Sequence, residues 1–262
     1  MALPPEILDN ILERIPANGK GRLTLAACAL VATWGTGPSQ RRLFSSVFID
    51  EGNYERWMNS VVLPRSKAHL LEYVRSLWQC RGLDMRIKYQ MQDLAQDSGG
   101  YLLALRNLYG LTLYAIRVEH INADQFRTCF SAFRETLTYL SLENFATSFS
   151  AFVTLVDYFP NIATLQIDWF EVESDERPVP SLSRPLRGKL DLRGVHEDCL
   201  EFFDRFSKLD LGYEELAISN SYMIAEEIWE CILRISTSSV KFLRLTDEHE
   251  REQTPHQHHI LT

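Results

Sequence analysis

Residues 137–144 have the sequence Leu-Thr-Tyr-Leu-Ser-Leu-Glu-Asn, the clearest copy of a pattern that recurs along the chain. The leucines follow an apolar-x-x-apolar-x-apolar spacing, whose last part alternates as in a strand with one buried face. The spacing recurs on both sides of this stretch, and one copy lacks the first apolar position. The other copies are Leu108-x-x-Leu111-x-Leu113, Ile162-x-x-Leu165-x-Ile167, Leu190-x-Leu192, Tyr213-x-x-Leu216-x-Ile218 and Val240-x-x-Leu243-x-Leu245.

The copies are evenly spaced along the chain. Their middle apolar residues occupy positions 111, 140, 165, 190, 216 and 243, at intervals of 29, 25, 25, 26 and 27 residues. A period of about 20–29 residues, with a strand in each unit, is typical of leucine-rich repeats. Asparagine follows only some copies, at Asn144 and Asn220. We therefore expect a short, irregular arc rather than a full horseshoe.

Helical patterns lie between the strand-like copies. Apolar residues at i, i+3, i+4 and i+7 indicate one buried helix face. Strand plus helix in each repeat predicts an α/β protein (α+β overall), a solenoid with parallel strands on its concave face. The helical patterns are Phe126, Cys129, Phe130 and Phe133; Phe149, Phe152, Val153 and Val156; and Ile228, Cys231, Ile232 and Ile235.

The N-terminal residues predict two further helices. Prolines suit the first turn of a helix, Glu6 suits its positive end, and Pro16 stops it. A turn at residues 17–21 and a second helix from Leu23 to about Trp34 are predicted to follow. The first helix carries an apolar stripe of Ile7, Leu8, Ile11, Leu12 and Ile15.

The order of these residues resembles an F-box. The family opens with Leu-Pro-x-Glu-(Ile/Leu)-Leu-x-x-Ile, and later has a Leu-Val pair. Residues 39–44 resemble the segment that closes the F-box in many fungal members. Trp34 lies three residues after Val31, one fewer than in the family, and the following Gly-Thr-Gly-Pro predicts a shortened or loosened third helix. The matching residues are Leu3, Pro4, Glu6, Ile7, Leu8, Ile11, Leu30 and Val31.

The resemblance covers about the first 48 residues and implies a three-helix F-box domain. By this resemblance the chain is a substrate-recognition adaptor of an SCF-type cullin–RING ubiquitin ligase. It would bind a Skp-family adaptor, and through it a cullin, while its repeats hold a protein substrate. The alternative is a repeat-containing scaffold with a degenerate F-box and no role in ubiquitin ligation. Docking on the adaptor, or the F-box core, is assigned to Leu3, Pro4, Ile7, Leu8, Ile11, Leu12, Leu30 and Val31.

The concave face is the predicted substrate surface. Residues between and after the apolar pairs of each strand should line it, because alternate residues point to opposite faces. Their mixed charge suits a protein partner better than a nucleic acid, although a merely hydrated face remains an alternative. The set is Thr112, Tyr114, Ser141, Glu143, Gln166, Asp168, Asp191, Arg193, Ser219, Arg244 and Thr246.

Composition narrows the function further. The 262 residues carry a net charge of -8, which argues against a nucleic-acid partner. The sequence has no run of roughly 20 apolar residues and no signal peptide, so we expect an intracellular protein, cytoplasmic and/or nuclear, without a membrane partner. The five cysteines lack metal or redox spacing and are predicted to be buried thiols. Nucleotide-binding and nucleophile motifs are missing, so neither catalysis, a cofactor nor a metal is expected.

These patterns divide the chain into four parts. Residues 1–48 are the F-box-like domain, and residues 108–246 are the leucine-rich repeats. The connecting region, 49–107, is expected to hold one or two further strands, at Val74-x-x-Leu77 and Leu83-x-Met85-x-Ile87. Residues 171–180 read as a loop between repeats, and residues 247–262 as a disordered tail.

Overall fold

The computed structural model describes residues 5–16, 19–31, 33–62, 64–80, 89–90, 101–118, 127, 130–173, 181–219, 226–236 and 239–246. Its α-helices are α1 (Pro5–Glu13), α2 (Gly19–Val31), α3 (Thr33–Phe44), α4 (Glu51–Trp57), α5 (Phe149–Tyr158), α6 (Leu200–Phe206) and α7 (Glu226–Ser236). Its strands are β1 (Ser46–Ile49), β2 (Ser76–Cys80), β3 (Tyr89–Gln90), β4 (Gly110–Tyr114), β5 (Ile116–Val118), β6 (Tyr139–Ser148), β7 (Thr164–Glu173), β8 (Leu186–Arg193), β9 (Leu211–Ser219) and β10 (Phe242–Thr246).

The strands form one open, parallel sheet, so the molecule is an α/β protein. Along the sheet the order is β1-β2-β4-β6-β7-β8-β9-β10, which follows the order of the chain. Every pairing is parallel, and β1 and β10 stand at opposite edges. Short β3 and β5 form a side ladder that joins the second half of β6. Each of the main strands therefore pairs with the next one reached along the chain.

The repeated apolar positions lie in register across this sheet. Leu111, Leu140, Leu165, Leu190 and Leu216 are successive partners on neighbouring strands, and each is almost completely buried. They belong to one hydrophobic core with the apolar sides of α5, α6 and α7. The predicted helices at 149–156 and 228–235 are confirmed as α5 and α7. At 126–133, of the described residues, Arg127 and Phe130 are helical and Ser131–Phe133 form a 3₁₀ turn.

Four central strands, β4, β6, β7 and β8, are each interrupted or directly followed by one residue with a left-handed backbone conformation. We call these four residues the left-handed column. Ala115, Asn144, Trp169 and Gly194 have φ of 55°, 47°, 46° and 57°. Each follows directly on a registered row of the sheet, in which Tyr114 pairs with Glu143, Glu143 with Asp168 and Asp168 with Arg193. The occasional asparagine of the repeats is thus a turn position. Glycine and asparagine adopt this conformation readily, whereas alanine and tryptophan are strained there.

The N-terminal residues form three helices with a small core of their own. Leu12 of α1 and Leu25 of α2 are buried together, with Leu43 of α3 packed against them. The second helix differs from its predicted bounds, because it starts within the expected turn, at Gly19, and ends at Val31. The predicted loosening of the third helix is wrong: α3 continues through Gly37 and encloses Pro38. Contacts with α1, α2 and the 3₁₀ segment Arg65–Tyr73 support it along this length.

The connecting region contributes more sheet than its sequence indicated. The strand expected around Leu77 is confirmed as β2, but β1 was not predicted and starts before residue 49. The expected strand at 83–87 lies outside the described residues. At the other end, residues 171–173 were wrongly assigned to a loop. They extend β7 because Glu171 and Val172 pair with Ala146 and Thr147 of β6.

The last strand departs from the buried pattern. Leu243 and Leu245 of β10 are 54% and 61% exposed, although their register partners Leu216 and Ile218 on β9 are buried. Within the described residues nothing covers this side of β10, which is the edge of the sheet. The predicted tail at 247–262 lies outside the described residues.

None of the helices in the described ranges has the length and hydrophobicity required of a membrane span.

Candidate binding surfaces

The first candidate surface is the outer side of α1. Ile7 and Ile11, one helical turn apart, are each 48% exposed, whereas Leu12 is 3% exposed and belongs to the three-helix core. Of the residues predicted either to dock on the adaptor or to form the F-box core, Ile7 and Ile11 are therefore exposed and Leu12 lies in the core. Leu8, Leu30 and Val31 lie on α1 and α2, and their side chains are outside the described ones. Leu3 and Pro4 precede the described residues.

The second candidate surface is the polar face, the side of the sheet turned away from the apolar core. Three registered rows of residues cross it. The first row runs Ser46, Ser76, Gly110, Tyr139, Thr164, Lys189, Glu215, Phe242. The middle row runs Phe48, Trp78, Thr112, Ser141, Gln166, Asp191, Ala217, Arg244, and the third Cys80, Tyr114, Glu143, Asp168, Arg193, Ser219, Thr246.

A hydrogen-bonded network links all three rows at the centre of this face. The Tyr139 hydroxyl donates to Gln166 Oε1 at 2.8 Å, and Gln166 Nε2 donates to Glu143 Oε1 at 3.3 Å. Ser141 Oγ donates to the same Glu143 oxygen at 2.9 Å. Burial raises the pKa of Glu143, against the lowering effects of Ser141 and Arg193. The network therefore holds one carboxylate in a partly desolvated position.

Ion pairs continue the polar face towards β9. Arg193 binds Asp191 through two hydrogen bonds, Nε to Oδ1 at 3.3 Å and Nη2 to Oδ2 at 3.2 Å. Desolvation alone would lower the pKa of Arg193, but the hydrogen bonds and charge of Asp191 raise it overall. Lys189 Nζ lies 3.2 Å from Glu215 Oε1. The charges on this half of the face are thus mutually paired.

The predicted concave-face residues are not equally accessible. Five of them are buried, four in the middle row and one, Ser219, in the third row. Tyr114, Glu143, Asp168 and Arg193 are partly exposed, Arg244 is exposed, and the Thr246 side chain is outside the described ones. A direct contact with a partner therefore falls to these four and Arg244, which corrects the prediction for Thr112, Ser141, Gln166, Asp191 and Ser219.

None of the first-row residues belonged to the predicted concave face. Tyr139 and Lys189 occupy the position before the middle apolar residue of their repeats, and strand alternation extended by two residues would have found them. The predicted concave face also lacked an aromatic pair at the β1–β2 end of the sheet. Phe48 and Trp78 are both exposed, with ring centroids 5.8 Å apart in an edge-to-face arrangement. Phe48 lies on β1, the strand that was not predicted.

The one cysteine–histidine contact among the described residues lies at the start of α6. Cys199 Sγ is 3.5 Å from His196 Nε2, and His196 Nδ1 is 3.5 Å from Asp198 Oδ2. Burial raises the pKa of Cys199 to about 11, so the sulfur is a thiol at neutral pH. A nucleophilic cysteine requires a lowered pKa, and this arrangement does not provide one. Residues 197–199 form a 3₁₀ turn that leads into α6.

Buried thiols were predicted, and Cys199 and Cys231 are buried and unbridged, while Cys28 is only partly buried. Among the described residues, no group of three histidine, cysteine or acidic side chains is placed to hold a metal ion.

No protein-family model matches this chain, and no curated protein matches it either. The F-box and leucine-rich-repeat resemblances therefore stay predictions. The structure itself shows an open parallel sheet preceded by three short helices.

Proposed function

We propose that this chain is a substrate-recognition subunit of an SCF-type cullin–RING ubiquitin ligase, whose N-terminal helices bind a Skp-family adaptor. The observation that carries the proposal is the exposed pair Ile7 and Ile11 on α1. Both belong to the Leu-Pro-x-Glu-Ile-Leu-x-x-Ile motif. Because Leu12 is the residue of α1 that packs in the three-helix core, Ile7 and Ile11 stay exposed. Exposed aliphatic side chains one turn apart are the anchors that a helix presents to a partner.

The polar face is the surface proposed for the protein substrate. Side chains held by neighbours lose little entropy on binding, and Glu143 and Arg193 are so held. The exposed aromatic pair at the β1–β2 end adds apolar contact area of the kind enriched in protein interfaces. In this account the chain performs no chemistry of its own. It raises the reaction rate by keeping substrate and ubiquitin-transfer machinery together.

The test is affinity purification of the full chain from cells treated with a proteasome inhibitor, followed by identification of what co-purifies. The proposal expects a Skp-family adaptor, a cullin and at least one ubiquitin-modified protein with the wild type. Ile7→Asp with Ile11→Asp should lose the adaptor and cullin and keep the substrate. A matched variant, Leu200→Asp with Leu233→Asp, places the same charges on exposed leucines of α6 and α7 and should keep all three.

The alternative is a protein-binding scaffold with a degenerate F-box. The shifted position of Trp34 relative to the family motif favours it. Recovery of a protein partner by the wild type with neither adaptor nor cullin would support this alternative and contradict the ligase proposal.

A further inference from the structure

A basic cavity lies where the N-terminal helices meet the sheet. Its volume is about 470 Å³, within the size range of small-molecule sites. Arg41 and Arg42 reach it from the end of α3, Arg75 from the start of β2, and Tyr73 from the 3₁₀ segment before β2. Among the described lining residues, Glu13 of α1 is the one acidic side chain. The charges of these lining residues, three arginines and one glutamate, sum to +2, in a chain whose net charge is -8.

The backbone at this junction fixes two of the arginines relative to each other. Ser45 Oγ donates to the Arg42 carbonyl at 2.8 Å, and the Ser45 carbonyl accepts from the Arg75 N–H at 2.9 Å. One residue therefore bonds to both, so the separation of their backbones is set before any ligand arrives. A fixed spacing of the two backbones lowers the entropic cost of bringing both side chains to one ligand.

Arg42 and Arg75 have more hydrogen-bonding capacity than the described residues satisfy. Arg42 Nε is buried and has no hydrogen-bond partner within the described residues, although a buried donor normally has one. Arg75 donates to a neutral acceptor, the Asn107 carbonyl, at 3.4 Å. Within the same residues no ion pair joins Glu13 to any of the three. The negative end of α3 favours the charges of Arg41 and Arg42, but it accounts neither for a third arginine from another element nor for the orphaned Nε.

From this geometry we infer that the cavity binds a small anion carrying two or more phosphate groups. Guanidinium groups present paired N–H donors that match phosphate oxygens, and three of them exceed the charge of a single phosphate. Tyr73 also lines the wall. The inference does not depend on the proposed ligase role. A bound anion would bridge the three-helix unit and the first strands of the sheet, and would raise the stability of that junction.

Tripolyphosphate is the probe, titrated into the full chain by calorimetry at low ionic strength in a phosphate-free buffer. We expect one-to-one binding that raises the melting temperature and weakens as salt is added. Arg42→Gln with Arg75→Gln should weaken binding roughly tenfold or more, since hydrogen bonds to charged groups are lost. Arg106→Gln with Arg187→Gln removes the same charge from exposed positions elsewhere, and should bind like the wild type.

A second variant keeps the test independent of folding. Glu13→Gln removes an exposed carboxylate from the cavity wall, and should tighten tripolyphosphate binding several-fold. Citrate, an anion without phosphate, should bind more weakly than the probe. The inference is overturned by the absence of binding, by equal affinity for citrate, or by equal weakening in the two double-arginine variants. It is also overturned if Glu13→Gln leaves the affinity unchanged.

Discussion

The indole ring of Trp169 lies directly over Gly194. A Cβ placed on Gly194 would stand 2.5 Å from both Cδ1 and Nε1 of that ring. Both residues belong to the left-handed column, with φ of 46° and 57°. Trp169 is exposed, so the glycine supports a bulky surface side chain rather than a core one. Neighbouring repeats are thus matched in shape at the turn as well as in the core.

Gly194→Ala is expected to destabilise the protein by about 2 kcal/mol or more, because the new Cβ is strained at positive φ and meets the Trp169 ring. Urea unfolding followed by circular dichroism measures the change. Gly212→Ala is the matched control. It lies on β9, where a Cβ would make ordinary contacts of 3.4 Å or more, and its effect should stay below about 1 kcal/mol. Equal effects of the two substitutions would contradict the assigned turn.

Tyr213→Phe is expected to stabilise the protein by about 1 kcal/mol. The Tyr213 hydroxyl is fully buried and has no hydrogen-bond partner within the described residues, so its loss removes an uncompensated desolvation cost. Tyr139→Phe is the opposite case, because it removes the 2.8 Å hydrogen bond to Gln166 and should destabilise by about 1 kcal/mol. Chemical unfolding of both variants distinguishes them. A loss of stability in Tyr213→Phe would show that its hydroxyl is bonded.

Glu143→Gln is expected to stabilise the protein at neutral pH. Burial raises the pKa of Glu143 above its ordinary value of 4.5, so the folded state holds this proton more tightly than the unfolded state does. The contribution of Glu143 to stability is therefore complete below pH 4.5 and is lost as the pH rises through the raised pKa. The free-energy difference between variant and wild type should grow over that interval and then level off. A difference that does not change with pH would contradict the desolvation of this carboxyl.

The repeats could be predicted from sequence because their signal is local and periodic. Leu140 and Leu142 alternate with polar residues in a strand pattern, and the same pattern recurs in the neighbouring repeat with which they pair. The number of strands was underestimated because β1 has only four residues and no full copy of the spacing. The continuation of β7 through residues 171–173 depends on pairing with β6. This is a tertiary contact, and the acidic local sequence gives no strand signal for it.

The candidate surfaces were harder to predict than the strands. Alternation places Ser141 and Gln166 on the polar face, but it does not predict that both side chains are buried there. In α1 the apolar stripe is wider than the core contact, so the pattern alone did not separate Leu12 from Ile11. The arginine cavity could not be predicted from sequence, since Arg42 and Arg75 are brought together by the packing of α3 against the 3₁₀ segment Arg65–Tyr73, which precedes β2.

Binding of a Skp-family adaptor by the exposed residues of α1 can be measured as the dissociation constant of the purified full chain for that adaptor. We expect saturable one-to-one binding that weakens roughly a hundredfold or more in Ile7→Asp with Ile11→Asp, because two aliphatic side chains lose their burial. Leu200→Asp with Leu233→Asp should leave the constant unchanged. No measurable binding by the wild type, or the same constant for the wild type and the α1 variant, would contradict it.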